Sequence, residues 1–177
     1  MDEFWVFGYG SLMWNPGFPY EERLTARLGG YRRSLCVRSY VHRGTEERPG
    51  LVLGLDRGGS CKGVAFRVAS DHWPETLAYL RERELVTSVY LERHVRLTLG
   101  DTRQVSALTY VIDRAHTQYA GNVSIDEAAR IVHGAVGRSG PNPLYVANTA
   151  AHLRELGIRD QWLESVVAAI ADLEGAN

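Results

Sequence analysis

Apolar positions come in short runs over the first two thirds of the chain and at helical spacing over the last third. Phe4-Trp5-Val6-Phe7 is an aromatic and aliphatic run stopped by Gly8, the pattern of a buried strand. Residues 35–41 and 51–55 read as further strands. Asp56-Arg57-Gly58-Gly59-Ser60 is a turn signal, so residues 63–68 read as the returning strand of a hairpin. Residues 95–99 and 105–112 flank Gly100-Asp101, a second hairpin signal. About six or seven short strands of this kind suffice to close, or nearly close, a barrel.

Residues 73–81 have helical character, with Trp73, Leu77 and Leu80 spaced to share a face. Ser124-Ile125-Asp126-Glu127 is a capping box, in which hydroxyl and carboxylate satisfy backbone donors reciprocally. Ala128, Val132, Ala135 and Val136 continue that helix to Gly137. A second helix is predicted over 144–156 with Gly157 just beyond its end. A third starts near Asp160 and turns Trp162, Val166, Ile170 and Leu173 towards the core. No repeat, low-complexity stretch or linker interrupts the pattern. The expectation is one domain over 1–177, of α+β class, with a mixed barrel, flanking helices and a helical final third.

Composition narrows the function classes. A chain of 177 residues can bury a core without staples. Its 45% hydrophobic and 23% charged content is that of a folded globular protein. Twenty Lys+Arg against 21 Asp+Glu leave no basic excess to attract nucleic acid. Lys62 is the one lysine; arginine forks suit carboxylates, and a compositional bias produces the same usage. Cys36 and Cys61 form no CxxC pair, and two buried thiols in a reducing cytosol is the default reading. No basic-then-apolar leader and no run of about 20 apolar residues is present, so a cytoplasmic protein without membrane association is expected.

The local feature with most chemical content is Phe7-Gly8-Tyr9-Gly10-Ser11-Leu12, directly after a predicted strand. Glycines let a backbone approach a ligand closely, and amides exposed by a tight turn form a small anion nest. Tyr9, Gly10, Ser11 and Leu12 are therefore candidates for binding a substrate carboxylate or a developing oxyanion. The string lacks the Gly-Lys-Ser/Thr end of a phosphate loop and the glycine spacing of a dinucleotide fingerprint. On physical grounds alone a plain strand-to-loop corner is the better explanation.

Three blocks spread along the chain carry a resemblance. FGYGSLMWNP resembles the N-terminal signature of ChaC-like γ-glutamylcyclotransferases. Arg83-Glu84, with Tyr90 six positions after the Glu, continues it. The stretch from Gly137 to Asn148, GRSGPNPLYVAN, completes it. The resemblance implies a γ-glutamylcyclotransferase-like barrel and an enzyme that cyclises a γ-glutamyl group to 5-oxoproline, glutathione being the usual substrate. It implies Glu84 as the catalytic carboxylate and Tyr145 as a pocket residue. Family members often carry an acidic residue just before that tyrosine, where this chain has Leu144.

The chemistry explains why one carboxylate suffices. The α-amine of the γ-glutamyl group attacks its own γ-carbonyl, so the substrate supplies the nucleophile. Glu84 would take a proton from that amine and return one to the departing amine. Partial burial would raise its proton affinity towards the operating pH. A nearby guanidinium would oppose this, so Arg81 and Arg83 are expected to point away from Glu84. No metal or organic cofactor is required. The run Arg81-Glu82-Arg83-Glu84 reads equally as a solvated, charge-paired helix end, the reading kept for Glu82.

Other residues are weaker candidates. His42, His72, His94, His116, His133 and His152 share no metal-ligand spacing. Ser11 as a nucleophile has no evident base. Trp5 and Trp14 read as core, Arg38 and Arg43 as loop charges, Asn142 as a helix cap and Tyr145 also as a packing residue. The expected partner is a small molecule, glutathione or a related γ-glutamyl compound. The alternatives are cyclisation of other γ-glutamyl amines or amino acids, and a non-catalytic module that binds such a metabolite or regulates a transporter.

Overall fold

The computed structural model describes residues 2–176. Phe4–Gly8 forms β1, the aromatic run read from the sequence, and Gly8 ends it. The long strands β2 (Glu22–Ser39) and β3 (Gly50–Val68) follow, then helix α1 (Trp73–Glu84) and the hairpin β4 (Tyr90–Leu99) and β5 (Gln104–Ile112). These five strands close a barrel in the order β1-β3-β2-β4-β5. Parallel pairing of β1 with β5 completes the circuit, Trp5 opposite Ala107 and Val6 opposite Leu108. The rest is α2 (Ile125–His133), a two-stranded sheet of β6 (Val136–Gly137) and β7 (Gly140–Pro141), α3 (Asn142–Glu155) and α4 (Gln161–Gly175). None of these helices is long and apolar enough to cross a membrane.

The expected fold class holds, with barrel strands fewer and longer than the pattern suggested. Asp56-Arg57-Gly58-Gly59-Ser60 is not a hairpin turn but lies inside β3. Gly58 (φ 101°) and Gly59 (φ 69°) take up left-handed backbone there, so the pair bends the strand without ending it. Asp56 is fully buried and pairs with Arg32 of β2 at 3.4 Å. Residues 22–30, whose alternating polarity carries little signal, are strand as well.

Packing divides the chain into two compact units. The first comprises the chain up to Arg33 together with Leu55–Asp113. Its core holds Trp5, Val6, Phe7, Phe66, Leu97, Leu108 and Tyr110, all essentially inaccessible. Trp73, the first residue of α1, stacks on Phe4 at 4.8 Å between ring centroids, which docks the start of that helix on β1. Pro74 in the first turn suits a helix start, and Arg81 and Arg83 in the last turn suit its negative end.

The second unit comprises Ser34–Gly54 and the chain from Arg114 onward. The Ser124 hydroxyl accepts from the amide of Glu127 at 3.2 Å, half of the capping box read from the sequence. The helix stops at His133, four residues before the expected Gly137, because Val136 and Gly137 pair with Pro141 and Gly140 instead. Asp160 caps α4 through the amide of Leu163, and Leu163, Val166 and Ile170 are buried. Cys36 and Cys61 are both buried, and neither is in a disulfide.

Candidate active site

Beyond Gly8 the chain turns sharply, and Ser11–Met13 form a single 3₁₀ turn. The amide of Met13 donates to the Gly10 carbonyl at 2.9 Å, and that of Asn15 to the Ser11 carbonyl at 2.8 Å. The first amides of any such turn have no partner within it. Those of Ser11 and Leu12 meet no acceptor among the described residues, the condition a nest requires. Gly8 is needed for this fold-back, because a β-carbon there would come within 3.0 Å of the Leu12 β-carbon.

Arg33 of β2 supports the turn from inside. It is buried, donates through Nε to the Tyr9 carbonyl at 2.7 Å and through Nη2 to the Lys62 carbonyl at 2.6 Å. Nη2 also lies 3.9 Å from the Met13 sulfur. The Thr109 hydroxyl donates to the Phe7 carbonyl at 3.1 Å, fixing the strand that feeds the turn. Tyr9 and Leu12 are buried while Ser11 is exposed.

Glu84 is the last residue of α1, with Leu85 as C-cap. Its side chain is 16% exposed. Burial raises the proton affinity of its carboxyl above the ordinary value, and Arg83 works in the opposite direction without overcoming it. The two arginines behave differently from the expectation that both point away. Arg81 does, because Glu92 of β4 holds it by two hydrogen bonds of 3.0 Å. Arg83 does not: its Nε lies 3.7 Å from Glu84 Oε1. The reason is that its terminal nitrogens are anchored on the turn. Nη2 donates to Ser11 Oγ at 2.8 Å, and Nη1 to the Asn15 carbonyl at 2.8 Å and the Tyr79 hydroxyl at 2.9 Å.

A second carboxylate, Glu92, lies on β4. Glu92 accepts from the buried Tyr110 hydroxyl at 3.0 Å as well as from Arg81. These bonds, Arg81's first, hold its pKa below the ordinary value, the opposite direction to Glu84. Burial, the Glu92 bond and the charges of Glu92 and Glu84 all raise the Tyr110 pKa, which keeps that phenol neutral. Two carboxyl groups driven apart in this way is the arrangement expected where one of them moves protons.

Tyr145 belongs to the second unit. Its hydroxyl accepts from the amide of Leu53 at 3.0 Å, and the Arg43 guanidinium lies 5.3 Å from its ring centroid. Asn142 is no helix cap: Pro141 holds that position, and the buried Asn142 amide pairs with both backbone groups of Leu51. Asn142 and Tyr145 thus substitute for a neighbouring strand along the Leu51 to Leu53 edge of β3. Among the residues brought together by the first unit, Arg33, Tyr79 and Glu92 were missed by sequence reasoning, and Arg83 was named without the bonds it makes to the turn. No group of three His, Cys, Asp or Glu side chains among the described residues is placed to hold a metal ion.

The family model described as ChaC-like protein matches residues 4–173. The chain is 35% identical over 173 residues to a glutathione-specific γ-glutamylcyclotransferase of Escherichia coli K12, covering 98% of this chain and 75% of that protein. It is 36% identical to glutathione-specific γ-glutamylcyclotransferase 1 of Danio rerio, covering 94% and 88%. Its fold is similar to the crystal structure of a yeast γ-glutamyl cyclotransferase specific to glutathione, with TM-score 0.85 at 22% identity over 97% of both chains.

Proposed function

The chain belongs to the ChaC-like protein family, and from that premise we propose that it converts glutathione to 5-oxoproline and cysteinyl-glycine, with Glu84 as general acid/base. One observation carries the residue assignment: a mostly buried carboxyl with raised proton affinity stands on the same arginine that grips an amide-presenting turn.

The steps balance without an added reactant. Glu84 takes a proton from the substrate ammonium, and the freed amine forms a C–N bond to the γ-carbonyl carbon. The oxygen becomes an oxyanion, which the Ser11 and Leu12 amides are suited to stabilise. Collapse restores the carbonyl and breaks the bond to the cysteine nitrogen. The proton on Glu84 passes to that departing amine, and the second proton, shed by the ring nitrogen as it becomes a lactam, follows it. Cysteinyl-glycine thus leaves as an ammonium. Holding the γ-glutamyl chain folded, amine over carbonyl, removes much of the entropic cost of closing a five-membered ring. Tyr9, Gly10, Ser11 and Leu12 are assigned to gripping the γ-glutamyl group, and Tyr145 is kept as a candidate substrate-binding residue. This ring closure uses no metal or organic cofactor. We assign the protein to the cytoplasm, where a reducing medium suits two cysteines that form no disulfide.

The test is incubation of purified protein with glutathione and quantification of both products. Equimolar 5-oxoproline and cysteinyl-glycine are expected. Release of 5-oxoproline only from other γ-glutamyl amines would move the leaving group, and saturable binding without release would make the protein a metabolite-binding module.

A further inference from the structure

Arg83 touches more of the candidate site than any residue assigned to it above. Its guanidinium reaches Ser11 Oγ at 2.8 Å, the Asn15 carbonyl at 2.8 Å and the Pro16 carbonyl at 3.4 Å, while Nε faces Glu84 Oε1 at 3.7 Å. The bonds of Nη1 and Nη2 run to the loop that carries the amides, and Nε belongs to the side that carries the base. Such a planar fork holds several acceptors at fixed mutual geometry, which an ammonium on a flexible stem does not.

The arginine is itself held. Tyr79, one helical turn earlier, places its hydroxyl 2.9 Å from Nη1. That hydroxyl sits against Gly17, where φ is 77° and a β-carbon would collide with it. Phe18 packs edge-on against the Tyr79 ring at 6.5 Å. The side chain is 21% exposed, so water weakens these bonds without dissolving them.

We propose that Arg83 is a positioning residue that sets the register between the substrate-gripping turn and the Glu84 carboxylate, resting on the function proposed above. A merely structural arginine would stitch the 11–16 loop to α1 and leave the base alone. The arrangement here does both: the loop bonds fix the distance, and the cation tempers the proton affinity that burial confers on Glu84. The other groups around that carboxyl are Tyr110 from β5 and, through it, the Arg81–Glu92 pair; Arg81 and Tyr110 are both bonded to Glu92. Arg83 is therefore the charge that acts on Glu84 directly.

The experiment compares R83Q, R83K and Y79F with wild type, reading 5-oxoproline release from glutathione across pH and substrate concentration. R83Q should lose about 10²-fold in kcat/KM, the scale of a displaced reacting group, and its acid limb should move to higher pH. R83K keeps a charge without the fork, so kcat should fall while the acid limb stays near wild type. Y79F should lower kcat less than either and leave the limb unmoved. Should R83Q fail to fold, as judged by its melting transition, R83K and Y79F still read the split. An R83Q acid limb that stays at its wild-type pH, or R83K and Y79F at wild-type rates, would overturn the proposal. The function and the positioning role separate by NMR titration of isotopically labelled Glu84. If wild type releases no 5-oxoproline, the function fails, yet Glu84 should still titrate higher in R83Q or, where that variant is unfolded, equally in wild type and R83K. No upward shift in folded R83Q, or a shift in R83K, sinks the Arg83 inference on its own.

Discussion

Replacing Asn142 with leucine should cost this protein a large part of its stability. Asn142 is inaccessible to solvent and forms a two-point pair with Leu51, accepting from its amide at 2.8 Å and donating to its carbonyl at 2.9 Å. Leu51 is equally inaccessible. Leucine fills the space and excludes water, leaving one backbone donor and one acceptor unmet. Each orphaned group costs about 1–3 kcal/mol, so the expected loss is about 2–6 kcal/mol. Against a typical total of about 5–15 kcal/mol, the middle of the expected loss, about 4 kcal/mol, is a large fraction. Urea unfolding followed by tryptophan fluorescence and far-UV circular dichroism should show the midpoint falling by about 1–3 M with unchanged slope. Asn142→Asp provides an internal control. Its ionised carboxylate would face the Leu51 carbonyl, whereas the protonated acid offers an O–H and a C=O as asparagine offers an N–H and a C=O. The folded state should thus raise the pKa of that aspartate, and the variant should lose stability as pH rises through the raised value. A midpoint shift below that expected for about 1 kcal/mol in Asn142→Leu would refute the reasoning.

Three further outcomes follow from single residues. Glu84→Gln should be more stable than wild type at neutral pH: a carboxyl with raised folded pKa binds more protons folded than unfolded, so its ionisation opposes folding. That gain should fade as pH falls below the ordinary carboxylate range, and a gain constant with pH in thermal melts would contradict it. Thr76→Val should stabilise by about 1 kcal/mol, since the Thr76 hydroxyl is buried on α1 without a hydrogen-bond partner among the described residues; a lowered melting temperature would count against this. Gly17→Ala should destabilise by at least about 1–2 kcal/mol, because alanine resists the left-handed backbone and its methyl displaces the Tyr79 hydroxyl. An unchanged melt would contradict that placement.

Much of this architecture can be read in local patterns. The aromatic run of β1, the Gly100-Asp101 hairpin, the Ser124 cap and the Gly157 terminus each follow from chemistry within a few residues. Gly157 does take up a left-handed φ of 73°. Local rules fail where a distant partner decides. Gly58-Gly59 has the composition of a turn, yet neighbouring strands keep the chain extended through it and the glycines yield a bend. Asn142 stands where caps stand, but its partner is Leu51, 91 residues away. Val136-Gly137 continues a helical period until pairing with Gly140-Pro141 claims it.

The candidate site divides in the same way. Glu84 and residues 9–12 could be picked out as candidates because each block has its own signature. The bond from Arg83 to Ser11 spans 72 residues, and no periodicity or spacing announces it. The expectation that Arg83 would turn away from Glu84 considered only the electrostatics of the base. The loop's demand for donors, invisible from sequence, holds that arginine beside the carboxylate. Burial nevertheless outweighs the cation, so the expected direction of the Glu84 shift stands.

The central claim is that Glu84 moves the protons of ring closure. Its most direct measurement is the single-turnover rate of 5-oxoproline formation from glutathione by Glu84→Gln beside wild type and Ser11→Ala, with binding of glutathione checked separately. Removing a general acid/base should slow the chemical step about 10²–10⁴-fold while glutathione still binds. Ser11→Ala, which keeps the backbone amides, should lose less. Turnover by Glu84→Gln at the wild-type rate, or a deeper loss in Ser11→Ala, would contradict the account.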